Sequence, residues 1–159
     1  MVSSADSARR LVTILVAEDD ADDRLMTAEA FRECRLDNPI QFVADGEALM
    51  DYLHHRGPYA DPDAHPLPGV ILLDLNMPRM DGREALREIK SNARFSDIPV
   101  VILTTSKAEE DVAMCYRNRA NSFITKPVTY AALIDVVRTL GKYWLQIVDL
   151  PARGAGTQA

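Results

Sequence analysis

Five residues of this chain could do chemistry together if folding brought them to one place. They are Asp74 in "GVILLDLNMP", Glu18 and Asp19 in "ILVAEDD", Thr104 in "VVILTTS" and Lys126 in "FITKP". Asp74 closes an aliphatic run, where a lone carboxylate costs several kcal/mol unless something pairs with it. Carboxylates gathered at one point repel by roughly 4 kcal/mol per pair at 4 Å and an effective dielectric of 20. One lysine cannot offset that for a whole group, but a hard divalent cation can. Mg²⁺ takes one or two carboxylates together with carbonyl oxygens, waters and a phosphate. Asp74 is then a candidate nucleophile of the kind that forms an aspartyl-phosphate. The metal and Lys126 would neutralise charge on the transferring phosphoryl group, and Thr104 would donate its hydroxyl to a phosphate oxygen.

Such a constellation needs a scaffold that carries residues far apart in the chain to one edge. Aliphatic runs over 11–17, 40–44, 70–75, 98–104 and 121–125 read as strands. Segments of helical spacing lie between them: Met26, Ala30 and Cys34 beside Thr27 and Phe31, then Leu49 and Leu53, then Ala85, Leu86 and Ile89, then 109–119. A last helix runs over about 130–147. Five strands alternating with five helices predict an α/β fold, a doubly wound parallel sheet covered on both faces. The continuous apolar runs fit strands buried on both sides. Ligand sites in such sheets lie beyond the carboxyl ends of the strands, where all five candidate residues fall.

The bulk properties exclude several classes. The chain has 159 residues, 47% of them hydrophobic and 26% charged, which suits one compact domain. Its net charge of −6 argues against nucleic-acid or anionic-membrane binding, which needs a basic footprint. No run is long enough to span a membrane and the N-terminus has no signal-peptide character, so a cytoplasmic protein is expected. The two cysteines, Cys34 and Cys115, form no disulfide framework. The acids of "EDDADDRLMTAE" lack the glycine of a calcium-binding loop, and they read as the start of a helix. His54, His55 and His65 read as scattered surface residues, because neighbouring histidines on a helix end point different ways.

"ILVAEDD", "ILLDLNMPRMDG", "VVILTTS" and "FITKP" resemble, in order and spacing, the receiver domains of two-component response regulators. Thr104 follows Asp74 by 30 residues and Lys126 follows Thr104 by 22, as is usual in that family. The resemblance implies the flavodoxin-like, CheY-like strand order 2-1-3-4-5. It implies an acidic pair Glu18 and Asp19, with Asp19 the more direct Mg²⁺ ligand, and Asp74 as phosphoacceptor. It also implies the backbone carbonyl of Asn76 as a metal ligand, Thr104 as hydroxyl switch, Lys126 as phosphate-binding lysine and Phe123 as the aromatic partner of Thr104. A cis peptide before Pro127 is frequent in the fold. Two departures stand out. Glu18 replaces the commoner Asp, and "HHRGPYADPDAHPLPG" is longer than usual, reading as a surface excursion. Residues 1–10 are expected to be a flexible N-terminus, 11–148 the receiver domain and 149–159 a tail.

The last helix carries two apolar stripes. Leu133, Val137, Leu140 and Trp144 suffice to dock it, while Val136, Tyr143 and Ile147 form a second stripe beside them. Val136, Tyr143, Trp144 and Ile147 are therefore a candidate homodimer interface. "GKYWLQIVDLP" also resembles the single-domain regulators paired with bacterial and cyanobacterial phytochromes. The resemblance implies a phosphorylatable switch rather than an enzyme with an outside substrate. A sensor histidine kinase, a bacteriophytochrome on this likeness, would donate to Asp74, and helix four, strand five and helix five would carry the readout. A phosphate sink for another kinase is the alternative. An aspartate-nucleophile phosphatase would need an acid two residues after Asp74, where Asn76 stands. A flavin module would need a phosphate-cradling loop where five acids stand.

Overall fold

Three strands whose residues are all buried form the centre of the sheet: β1 (Ile14–Ala17), β3 (Val70–Leu73) and β4 (Val100–Thr104). The half-buried β2 (Ile40–Val43) and β5 (Ser122–Thr125) are its edges. The computed structural model describes residues 11–142. All pairings are parallel and the order is β2-β1-β3-β4-β5, as the resemblance implied. The expected strands are each trimmed by one to three residues. β3 stops at Leu73, so Asp74 is the first residue beyond it, its N–H still bonded to Ala17 O at 3.1 Å.

The helices are α1 (Ala21–Glu33), α2 (Gly46–His54), α3 (Gly82–Ser91), α4 (Glu109–Arg117) and α5 (Tyr130–Leu140). Alternate strand residues point to opposite faces. Leu15, Ala17, Ile71 and Leu73 pack with Leu49, Leu53, Leu86 and Ile89 under α2, α3 and α4. Ile14, Val16, Val70 and Leu72 pack with Ala30, Phe31, Leu133 and Val137 under α1 and α5. Four helices start on a side-chain cap: Asp20, Asp45, Asp81 and Thr129 each accept backbone N–H groups of the first turn. Caps of this type contribute about 1 kcal/mol and fix where each helix begins. Asp20 therefore starts α1 directly after the Glu18-Asp19 pair.

Gly82 permits a close approach that positions the site. A Cβ there would lie 2.2 Å from the carbonyl oxygen of Asp74, so only glycine lets α3 begin against that peptide.

Several expectations are corrected. Met26 is exposed, because α1 turns Thr27, Ala30 and Phe31 inward and leaves Met26 at the rim of the stripe. Cys34 is half-buried, and like Cys115 it is a free thiol. The segment 54–69 is the surface excursion expected, exposed over most of 56–64, and it is tied down at two points. Tyr59 and Leu67 pack on the core, and Tyr52 Oη donates to Pro66 O at 2.8 Å. The three histidines are half-buried at the surface, and each has a packing or hydrogen-bond partner. His54 packs edge-on to Phe95, His55 Nε2 donates to His65 O, and His65 stands edge-on to Tyr52 and Tyr59. No peptide bond among the described residues is cis, Lys126–Pro127 included; a trans bond is the ordinary X–Pro state and still brings the lysine to the acids. Val136 is half-buried, packing in part against the core under α1 and α5. Tyr143, Trp144 and Ile147 lie outside the described residues, as does the tail. No helix among the described residues is long and apolar enough to cross a membrane.

Candidate functional site

The parallel register brings the carboxyl ends of β1, β3, β4 and β5 side by side, and each delivers one group. Asp74 is 6% exposed, Glu18 5% and Thr104 0%. Asp74 Oδ1 accepts from Thr104 Oγ1 at 2.7 Å and from the Asn76 N–H at 3.1 Å. Its other oxygen, Oδ2, lies 3.0 Å from Lys126 Nζ. Lys126 also pairs with Glu18 and, at 2.9 Å, with Asp23 in the first turn of α1. The lysine is aimed by its own backbone, since its N–H donates to Thr104 O at 2.8 Å and so continues the β4–β5 ladder.

Charge in this pocket is unbalanced. Glu18, Asp19 and Asp74 can each offer an oxygen, all within 4.8 Å of one another, and Asp23 adds a fourth carboxylate beside one ammonium. Burial lowers the pKa of Lys126, but its hydrogen bonds to Glu18, Asp23 and Asp74 outweigh that and hold it well above the ordinary lysine value. Burial pushes the Glu18 carboxyl up, against the pull of Lys126 and the Asp20 N–H. The donor set, oxygen-only with an exposed Asp19 at its mouth, fits a hard divalent cation. Such a cluster is an acidic pocket able to hold a metal.

Among the other predicted residues, Asn76 borders Asp74 through its N–H, and its side-chain amide lies 3.5 Å from Thr104 Oγ1. Phe123 is half-buried on β5, opposite Ile102 in the register, and its N–H donates to Tyr116 Oη at 3.1 Å. Asp23 was not foreseen as a partner of Lys126. Its place four residues after Asp19, in the first turn of a capped helix, was the available signal. Ser106, Asp111 and Arg83 were also missed. Ser106 Oγ donates to Asp111 Oδ2 at 2.5 Å, and Arg83 grips both oxygens of Asp111 at 2.7 Å.

A cavity of about 70 Å³ is lined by Glu18, Asp74 and Lys126 together with Val16, Leu72 and Leu103. Its lining joins the acids and the lysine to apolar residues of the sheet.

Residues 14–138 match the family model described as "Response regulator receiver domain". The chain is 40% identical over 139 residues to response regulator Rcp1 of Synechocystis sp., a likeness spanning 87% of this chain and 92% of that protein. The crystal structure of the phosphorylated cyanobacterial phytochrome response regulator RcpA superposes with a TM-score of 0.84 at 36% identity, covering 90% of this chain and all of that one. The Mn²⁺-bound form of Rcp1 gives 0.81 at 39%, covering 89% and 99%. Sheet order, acidic pocket and these likenesses agree, and the chain belongs to the response regulator receiver domains, closely related to the phytochrome response regulators.

Proposed function

We propose that this protein is a phosphorylatable switch of a two-component system, and that Asp74 is its phosphoacceptor. The observation that carries the reading is the triple engagement of one buried carboxylate. Asp74 faces a lysine and a buried hydroxyl, and has an oxygen within 4.8 Å of those of two further acids. An Asp74 oxygen attacks the phosphorus of a donor phosphohistidine, forming an O–P bond while the P–N bond breaks and imidazole leaves. Glu18, Asp19, Asp74 and the carbonyl of Asn76 would hold Mg²⁺, which supplies charge neutralisation for the phosphoryl oxygens. Lys126 gives up carboxylate contacts to meet the new charge, and Thr104 turns its hydroxyl from Asp74 to a phosphoryl oxygen. Phe123 then fills the space toward Thr104, and the surface of α4, β5 and α5 changes with it. Residues 11–148 form this switch, flanked by residues 1–10 and a tail over 149–159.

The donor in this reading is a sensor histidine kinase, a bacteriophytochrome as the sequence resemblance implies; the likeness to the phytochrome response regulator RcpA supports a donor of phytochrome type. The protein also pairs with a second copy through the α5 region, Val136, Tyr143, Trp144 and Ile147. Sizing of Trp144→Glu against wild type tests that contact, and an unchanged elution volume sinks it. The phosphoacceptor is tested with acetyl phosphate and Mg²⁺ followed by intact mass. The wild type gains one phosphoryl group and Asp74→Asn gains none. Equal labelling of both, or of neither, overturns the assignment.

A further inference from the structure

The hydroxyl of Thr104 has one proton and is approached from three sides. Asp74 Oδ1 lies at 2.7 Å, the Ser106 N–H at 3.4 Å and the Asn76 side-chain amide at 3.5 Å. The last two neighbours donate to Thr104 Oγ1, so its own proton is left for the carboxylate. Ser106 is itself held, because its hydroxyl donates to Asp111 Oδ2 at 2.5 Å. Asp111 sits in the first turn of α4 and is gripped by Arg83 through two parallel bonds, Nε to Oδ1 and Nη2 to Oδ2, both 2.7 Å. This fork is sheltered, the side chains being 27% and 14% exposed. Arg83 Nη1 also points at Leu75 O at 3.5 Å and at Asp81 Oδ2 at 3.4 Å. The contacts therefore close a ring. It leaves Asp74 along the chain to Leu75, crosses by Arg83 to Asp111, and returns through Ser106 and Thr104 to Asp74.

We propose that Arg83, Asp111 and Ser106 are positioning residues, a ring that presets the Thr104 hydroxyl for the phosphoryl group on Asp74. The inference rests on the phosphoacceptor reading above. Its physical basis is preorganisation: a hydroxyl already oriented toward the reacting carboxylate loses little freedom when charge arrives there. A bidentate arginine–carboxylate pair is among the stiffest anchors that side chains provide. The ring also ties the start of α4 to the peptide that follows Asp74, so displacement of Thr104 is felt at α4 through Ser106 and Asp111.

Beryllofluoride, a phosphoryl mimic for aspartate, tests this on the full chain with saturating Mg²⁺, its bound fraction read by ¹⁹F NMR. Ser106→Ala and Arg83→Met should each weaken beryllofluoride binding about 3- to 10-fold, the worth of one oriented hydrogen bond. Ser106→Thr keeps the hydroxyl and should stay within about twofold of wild type. Mg²⁺ affinity without beryllofluoride should be unchanged in all three, because none of these side chains contacts the acidic pocket's carboxylates. Amide exchange over residues 104–111 should quicken in Ser106→Ala. Wild-type beryllofluoride affinity in both Ser106→Ala and Arg83→Met overturns the proposal. So does an equal loss of Mg²⁺ and beryllofluoride affinity, which marks general damage. If the wild type itself binds no beryllofluoride, the phosphoacceptor reading fails, and the ring's role fails with it.

Discussion

Two lysines among the described residues, Lys90 fully buried and Lys126 half-buried, are held in opposite ways. Lys90, on α3, is 5% exposed and donates to two backbone carbonyls, Ser96 O at 3.1 Å and Ile98 O at 2.7 Å. Burial pulls its pKa down to about 8, the charge of Arg119 adds to that, and Asp97 opposes it. Lys126 stands among Glu18, Asp23 and Asp74, which push its pKa up despite burial. Carbonyl oxygens neutralise no charge and belong to the fold, so Lys90 serves as a plug that closes the connection from α3 to β4. Carboxylates carry charge that another cation or a phosphoryl group can rebalance. Only the second arrangement can exchange partners, and the surplus acid around Lys126 is what makes exchange possible.

The contrast can be broken most decisively at Lys126. Lys126→Met should slow labelling by acetyl phosphate about a hundredfold at saturating Mg²⁺, since one charged donor to the transferring group is lost. Labelling at the wild-type rate would make Lys126 a plug like Lys90. Lys90→Met should do the reverse. It should leave labelling intact but cost about 2 kcal/mol in urea unfolding, because two carbonyls lose their donor.

The pH dependence sharpens the same contrast. The folded-state value for Lys90, about 8, lies below the 10.5 of a free lysine, so the unfolded chain keeps its proton to higher pH. Wild-type stability relative to Lys90→Met should therefore rise as pH climbs from 8 to 10.5. A flat difference would mean that this ammonium is not desolvated. The smallest effect belongs to Asp111, whose carboxyl Arg83 and Ser106 hold at about 2 against an ordinary 3.8. The stability advantage of wild type over Asp111→Asn should be complete above pH 3.8 and fade as pH falls toward 2. An advantage that persists unchanged at pH 2 would show that the pair contributes through shape rather than charge.

How much could be read beforehand follows from which physics acts locally. The central strands are buried on both faces, so Val70–Leu73 and Val100–Thr104 announce themselves as aliphatic runs. Parallel strands then bring Glu18, Asp74, Thr104 and Lys126 to one edge by topology alone. The contacts that depend on helix phase were not legible. Asp23 reaches Lys126 because Asp20 caps α1 and sets its first turn. Arg83, in the first turn of α3, meets Asp111, in the first turn of α4, a relation no spacing within one segment encodes. The segment 54–69 was legible as a surface excursion from its prolines and glycines, but the aromatic anchor that Tyr52, Tyr59 and His65 give it is not displayed by sequence patterns.

The place of β5 at the sheet's edge has a consequence for how the molecule comes into being. Lys126 and Asp23 are 103 residues apart, and Lys126 and Asp74 are 52 apart. Synthesis delivers every acid of the pocket before its lysine, and contacts of such long range form late in folding because loop closure must come first. A nascent chain that has paired β1, β3 and β4 thus carries a knot of bare carboxylates, which repel until β5 adds its ammonium. Divalent cations in the refolding medium would relieve that repulsion early, so refolding should quicken with Mg²⁺ in the wild type. It should quicken less in Asp19→Asn, where fewer like charges wait for the final strand.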